Sequence, residues 1–120
     1  MVAGMRLPHP ELAEVNPTKI EAYLLSETHP VGRSKARFFR EADFDESTID
    51  LLSRGLLLIA RSQQVAETSA TVHGLKYVLE SELDAPTGRR LRLRTVLVVD
   101  RGQERPRFVA AYPASEEKRL

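Results

Sequence analysis

The eleven residues RLRLRTVLVVD, Arg90 to Asp100, do most to fix what this chain can become. Side chains of an extended strand alternate between two faces, so Leu91, Leu93, Thr95, Leu97 and Val99 fall on one side and Arg92, Arg94, Val96 and Val98 on the other. A helix would scatter the arginines around its circumference, whereas a strand collects them on half of one face. The same period of two runs through the preceding segment, where Leu75, Tyr77, Leu79 and Ser81 oppose Lys76, Val78 and Glu80. It also predicts a last strand in RPRFVAAYP, with Phe108, Ala110 and Tyr112 on one side. Pro86-Thr87-Gly88 and Arg101-Gly102-Gln103-Glu104 separate these runs with turn residues, which makes the strands an antiparallel meander. Residues 65–73 are either a fourth, weaker strand or an ordered loop.

Ahead of Gln64 the period is that of a helix. Asn16-Pro17 is an N-cap followed by proline at the first helical position, and Ile20, Tyr23 and Leu24 continue at i, i+3, i+4, predicting a helix over about 17–25. Thr28-His29-Pro30-Val31-Gly32 interrupts it, because the residue before proline avoids helical angles and glycine tolerates positive φ. A second helix runs from Ser34 to about Ala42. Ser47-x-x-Asp50 has the form of a capping box and precedes Ile49, Leu52, Leu56, Ile59 and Ala60, predicting a third helix over about 47–63. Helices first and a meander afterwards give an α+β domain: about three N-terminal helices packed on a three- or four-stranded antiparallel sheet. Its core should hold Phe38 or Phe39, Leu52, Leu56, Ile59, Leu93 and Leu97.

A chain of 120 residues fits one such domain, read here as residues 16–113 with an N-terminal extension over 1–15 and a charged tail over 114–120. With 42% hydrophobic and 29% charged residues and a formal charge of +1, it is neither disordered in composition nor globally basic. A nucleic-acid site must therefore be a local patch. Cysteine is absent, which removes disulfides, thiol nucleophiles and thiolate metal sites. The histidines at 9, 29 and 73 lack metal-ligand spacing, so no metal and no cofactor are expected. No apolar run reaches the roughly 18 residues of a membrane helix and the N-terminus lacks a signal-peptide core, so the expectation is a cytoplasmic protein with no membrane partner.

What remains is cationic and imidazole chemistry. Arg89, Arg90, Arg92 and Arg94 enter and line a central strand, with Arg105 and Arg107 on the strand that should pair with it. Guanidinium forks suit phosphate, so a face formed by Arg92, Arg107 and Lys76, with Arg33 from the turn before the second helix, is a candidate RNA or phosphate surface. Equally, those arginines can pair across strands with Glu80, Glu82 or Glu104 and form an ordinary solvated face. Metal-free RNA cleavage needs a group to take the ribose 2′-hydroxyl proton, one to protonate the leaving oxygen, and cations to steady the phosphorane. His29 titrates near neutrality and suits either proton transfer; Lys35 and Arg94 can hold the phosphate, and Tyr112 can orient it or stack a base. For each the plain alternative is a helix cap, a surface lysine, a paired arginine or a core tyrosine.

YLLSETHPVGRSKARFF and RLRTVLVVDRGQERPRFVAAYP together resemble a bacterial family of unknown function. It occurs as small stand-alone proteins and at the ends of filamentous-haemagglutinin-type contact-dependent toxins. Its pattern is a short helix ending in YLL, then HPxGxxKAxxF, an amphipathic helix, a G-x-x-Y strand, a strand near V/L-R-T and a terminal PRxVTAYP. The matching positions are His29, Gly32, Lys35, Gly74, Tyr77, Arg94, Arg107 and Tyr112. The layout is in turn similar to barnase/EndoU/colicin/RelE-like ribonuclease toxins. The resemblance implies a metal-independent RNA-cleaving toxin with His29, Lys35, Arg94 and Tyr112 at its site, and RNA and a small antitoxin or immunity protein as partners. The alternative is a non-catalytic module that binds RNA or a small protein. That alternative is favoured by Ala110, which stands where the family has threonine, and the family's central-strand tryptophan is also absent.

Overall fold

The computed structural model of the chain describes residues 6–20, 33–62 and 64–114, with residues 33–36 and Ser62 described as backbone only. Its described elements are α1 (Pro17–Lys19), α2 (Arg33–Glu41), α3 (Ile49–Ser62) and four strands: β1 (Val65–Ala70), β2 (Gly74–Asp84), β3 (Arg90–Asp100) and β4 (Arg107–Pro113). Short 3-10 turns stand at Pro10–Leu12 and Glu46–Thr48. The four strands form one antiparallel sheet in the order β1-β2-β3-β4, with helices ahead of it in the chain: an α+β fold.

Local chemistry sets the helix starts. The Asn16 side chain accepts from the Thr18 amide at 2.9 Å and Pro17 follows at the first helical position, as the sequence predicts. At α3 the cap falls on Asp45 rather than Ser47. Asp45 lies in extended backbone; its carboxylate accepts from the Ser47 amide at 2.8 Å and from the Ser47 hydroxyl at 2.6 Å, while Thr48 Oγ1 accepts from the Asp45 amide. The hydroxyl expected to cap the helix is thus consumed as a donor to a better acceptor. α2 stops where Asp43 takes φ 72°, a left-handed turn that lets the Phe44 amide reach the Phe39 carbonyl at 3.1 Å.

One layer of core lies between helices and sheet. Phe39, Phe44, Leu52, Leu56 and Ile59 pack from the helical side against Leu79, Leu83, Leu91, Leu93, Leu97 and Phe108, and Phe38 meets Phe39 edge to face at 5.2 Å. Residues 6–15 join the same core through Leu7 and Ala13, and the Glu14 carbonyl accepts from the Phe108 amide at 3.0 Å. α3 packs on β2, and α2 packs on β4.

Register places the faces. Leu75, Tyr77, Leu79, Ser81 and Leu83 stand opposite Val99, Leu97, Thr95, Leu93 and Leu91, and this side takes the helices. In β4 the strict alternation fails. Leu97 pairs with Phe108 but Val96 pairs with Ala110, so Val109 is the extra residue of a β-bulge. Phe108 consequently points into the core while Ala110 and Tyr112 turn to the outer face, where unbroken alternation would have put all three together. The ladder between β1 and β2 has a similar irregularity between Val65 and Glu67.

Candidate functional site

The outer face of the sheet is built in rows. Lys76, Val98 and Arg107 form one row across β2, β3 and β4; Val78, Val96 and Ala110 form the next; Glu80, Arg94 and Tyr112 form the third; Glu82 with Arg92 and Asp84 with Arg90 complete it. Each basic residue at the start of β3 therefore faces a carboxylate on β2. The two members of every pair are symmetric about Thr87: a hairpin turn centred there matches Glu80 with Arg94, Glu82 with Arg92 and Asp84 with Arg90.

Arg94 is the centre of the arrangement. It is only 8% exposed, and its guanidinium donates to Glu80 on β2 and, at 2.6 Å, to Glu67 on β1, so that one fork joins three strands. Tyr112, half-buried, stands directly across from it on β4. A desolvated guanidinium held by two carboxylates is fixed in direction, and a phosphate reaching it would have to displace one of them. Glu80 is half-open to solvent and Glu67 more so, leaving both carboxylates reachable from the open face.

Arg90, Arg92 and Arg107 are paired locally. Arg90 donates to Asp84 at 3.2 Å and to Glu82 at 3.3 Å, and Arg92 approaches Glu82 at 3.6 Å. Arg107 grips Asp100 with two bonds, 2.6 and 3.0 Å, which hold the Asp100 carboxyl below its ordinary range and keep the guanidinium charged. Lys76 shares a row with Arg107, but four residues of β3, about 13 Å of strand, separate that row from Arg94. The apolar Val78, Val96 and Ala110 lie between. Among the described residues, the cations of this face thus fall into two groups, Lys76 with Arg107 and Arg90, Arg92 with Arg94.

Of the residues expected at the site, Arg94 and Tyr112 are neighbours. Arg33 and Lys35 lie in the first turn of α2, whose side chains there are outside the described residues, as are His29 and Gly32 altogether. Gly74 opens β2 with φ 154°, and a Cβ there would lie 2.2 Å from the Val99 carbonyl oxygen, which explains glycine at that position. Tyr77 is a buried core residue. Sequence reasoning named Glu80 as a cross-strand partner of the arginines without assigning it to Arg94, which reflection about the Pro86-Thr87-Gly88 turn would have done, and it did not name Glu67. Glu67 comes from the weakest strand of the four and had no such signal. Among the described residues no group of three His, Asp or Glu side chains converges as a metal site, and no described helix is long and apolar enough to cross a membrane.

A chain of the contact-dependent growth inhibition toxin - immunity protein complex from Klebsiella pneumoniae 342 is similar in fold, with TM-score 0.65 and 15% sequence identity, covering 82% of this chain and 91% of that one. No curated protein matches the sequence. Residues 6–115 match the domain of unknown function DUF6883, nearly the whole of the described chain, and the protein belongs to that family.

Proposed function

We propose that this chain is a toxin-type domain that cleaves RNA without a metal ion, at the outer face of the sheet around Arg94 and Tyr112. The observation that supports this is the cluster made by Arg94, Tyr112, Glu67 and Glu80 on the face of the sheet opposite the described helices. Arg94 steadies the charge that develops on the phosphorane, and Tyr112 orients the phosphate or stacks a base. His29 transfers a proton at the ribose 2′-oxygen or the leaving 5′-oxygen, and Lys35 adds a second cation. The likeness in fold to a chain of a toxin–immunity complex agrees with this reading.

A second reading is a module that binds a partner protein without catalysis. It is favoured by the matching of Arg90, Arg92 and Arg94 with Asp84, Glu82 and Glu80, which makes the face balanced in charge rather than basic. Controlled expression in a bacterial host separates the two. The wild type should arrest growth and degrade total RNA, and His29→Ala and Arg94→Ala should do neither while accumulating as folded protein. A wild type that leaves growth and RNA intact would rule out the RNA-cleaving reading.

A further inference from the structure

β1 and β2 differ in length, and the difference leaves a strand edge open. The ladder between them ends at Val65 opposite Leu79, yet β2 continues for five more residues to Asp84. Among the described residues, Glu80–Asp84 pair only with β3, and their other edge has no strand beside it. Unpaired backbone donors and acceptors along an extended strand are a template for one more strand.

The space beside this edge is shaped for an occupant. A groove of about 340 Å³ runs between the edge and α3, and Leu51, Leu58, Gly55 and Leu83 give it an apolar wall. Leu51 and Leu58 are exposed, Leu58 to 66%, and they lie seven residues apart on one side of α3. Gly55 sits between them against Leu83, where a Cβ would come within 2.2 Å of Leu83 Cδ1. A second hollow, about 430 Å³ and polar, continues along Ser81, Glu82, Asp84 and Arg90. The edge therefore presents apolar surface on its helix side and the carboxylates Glu80, Glu82 and Asp84 on its outer side.

Those carboxylates decide between occupants. A second copy pairing edge to edge, antiparallel, would set Glu80, Glu82 and Asp84 against their own counterparts, and like charges directly opposite are unfavourable. β3 shows what complements them: arginine at every second position, with leucine between. The geometry points to the Glu80–Asp84 edge as a docking site for a partner protein that adds an extended segment alternating basic and apolar residues. Its backbone would extend the sheet, its apolar side chains would enter the groove by Leu51 and Leu58, and its cations would form a second basic column against Glu82 and Asp84. This inference does not rest on RNA cleavage: Glu80 belongs to both places, but the edge is carried by the backbone of residues 81–84 together with Leu51 and Leu58, none of which the RNA-cleaving reading uses.

The test uses the full chain and a seven-residue peptide alternating lysine with valine, its ends blocked. Titration followed by amide NMR should show binding, with the amides of residues 80–84 shifted and slowed in exchange. Methylating the alternate peptide nitrogens that face the edge should weaken binding at least tenfold, as should Leu58→Glu, a substitution at an exposed position that leaves the fold intact. Glu82→Lys should weaken it comparably. Equal affinity for the N-methylated peptide would overturn the proposal, because attraction would then be charge alone. So would protection, in the free protein, of those amides of 80–84 that face away from β3, or sedimentation as a dimer at micromolar concentration that excludes the peptide.

Discussion

Arg94 and Thr95 are adjacent in sequence, face opposite sides of β3 and are both almost fully buried, but their polar atoms have different fates. Arg94 is held by two carboxylates, whereas Thr95 Oγ1 is buried in the core and has no hydrogen-bond partner among the described residues. A buried hydroxyl with no partner costs free energy that a methyl of the same shape does not. Thr95→Val should accordingly raise stability by up to about 1 kcal/mol, read as a higher urea midpoint at unchanged slope; a lower midpoint would show that the hydroxyl is satisfied. Ala110 is the converse case. The bulge at Val109 turns it to the outer face beside Val96, two positions from Tyr112, so a threonine there would place a hydroxyl next to the Arg94 cluster. Ala110→Thr should raise RNA cleavage by as much as about 100-fold if that hydroxyl donates to the reacting phosphate, and an unchanged rate would separate the family's threonine from catalysis. Which residues alternate in β3 was legible in the sequence. Which side Tyr112 takes was not, because a bulge inserts one residue without any change in composition.

Among elements, the termini and turns carry the clearest consequences. The Asp45 carboxylate that caps the turn into α3 is held below its ordinary range, first by the Ser47 hydroxyl and then by the Ser47 amide. Glu46 is lowered by its bond to Arg40, and Asp100 by Arg107. A carboxylate whose folded pKa is depressed stabilises the fold above its unfolded pKa and loses that contribution as pH falls through the folded value. The melting temperature should therefore be flat from about pH 7 to 5 and decline below about pH 4. Asp45→Asn should lower the plateau slightly and make the acid decline shallower, whereas a melting temperature that rises on acidification would contradict these assignments. At the start of β2, a Cβ on Gly74 would meet three backbone atoms of residues 99–101 at 2.2 to 2.9 Å. Gly74→Ala should cost about 2 kcal/mol or more in chemical denaturation, and a loss within experimental error would mean that the hairpin relaxes freely. The second and third helices and three of the strands followed from periodicity and turn residues, and the first helix is met at its start, Pro17–Lys19, while residues 21–25 of its expected span lie outside the described residues. The cap ahead of α3 falls on Asp45 rather than Ser47 because the Ser47 hydroxyl donates to the Asp45 carboxylate, and periodicity does not show which way a hydroxyl turns.

For the whole molecule, the division of labour is between a helix-covered face that makes the core and an open face that collects charge. The antiparallel layout was legible because the helical period gives way to alternation at one place in the chain. The pairing of the arginines with carboxylates was less so, since it depends on hairpin register; once the turn is centred on Thr87, the three pairs follow. That pairing argues against a broad phosphate surface and concentrates the proposed chemistry on Arg94, whose guanidinium reaches β2 and, beyond it, β1. The most direct test is incubation of the purified full-length chain with bacterial RNA in excess EDTA, followed by end-group analysis of the fragments. Attack of the 2′-oxygen on phosphorus with loss of the 5′-oxygen should leave 2′,3′-cyclic phosphate ends, and Arg94→Ala, shown to be folded, should cut the rate by about 100-fold or more. Absence of cleavage by the wild type, or equal cleavage by Arg94→Ala, would contradict the account.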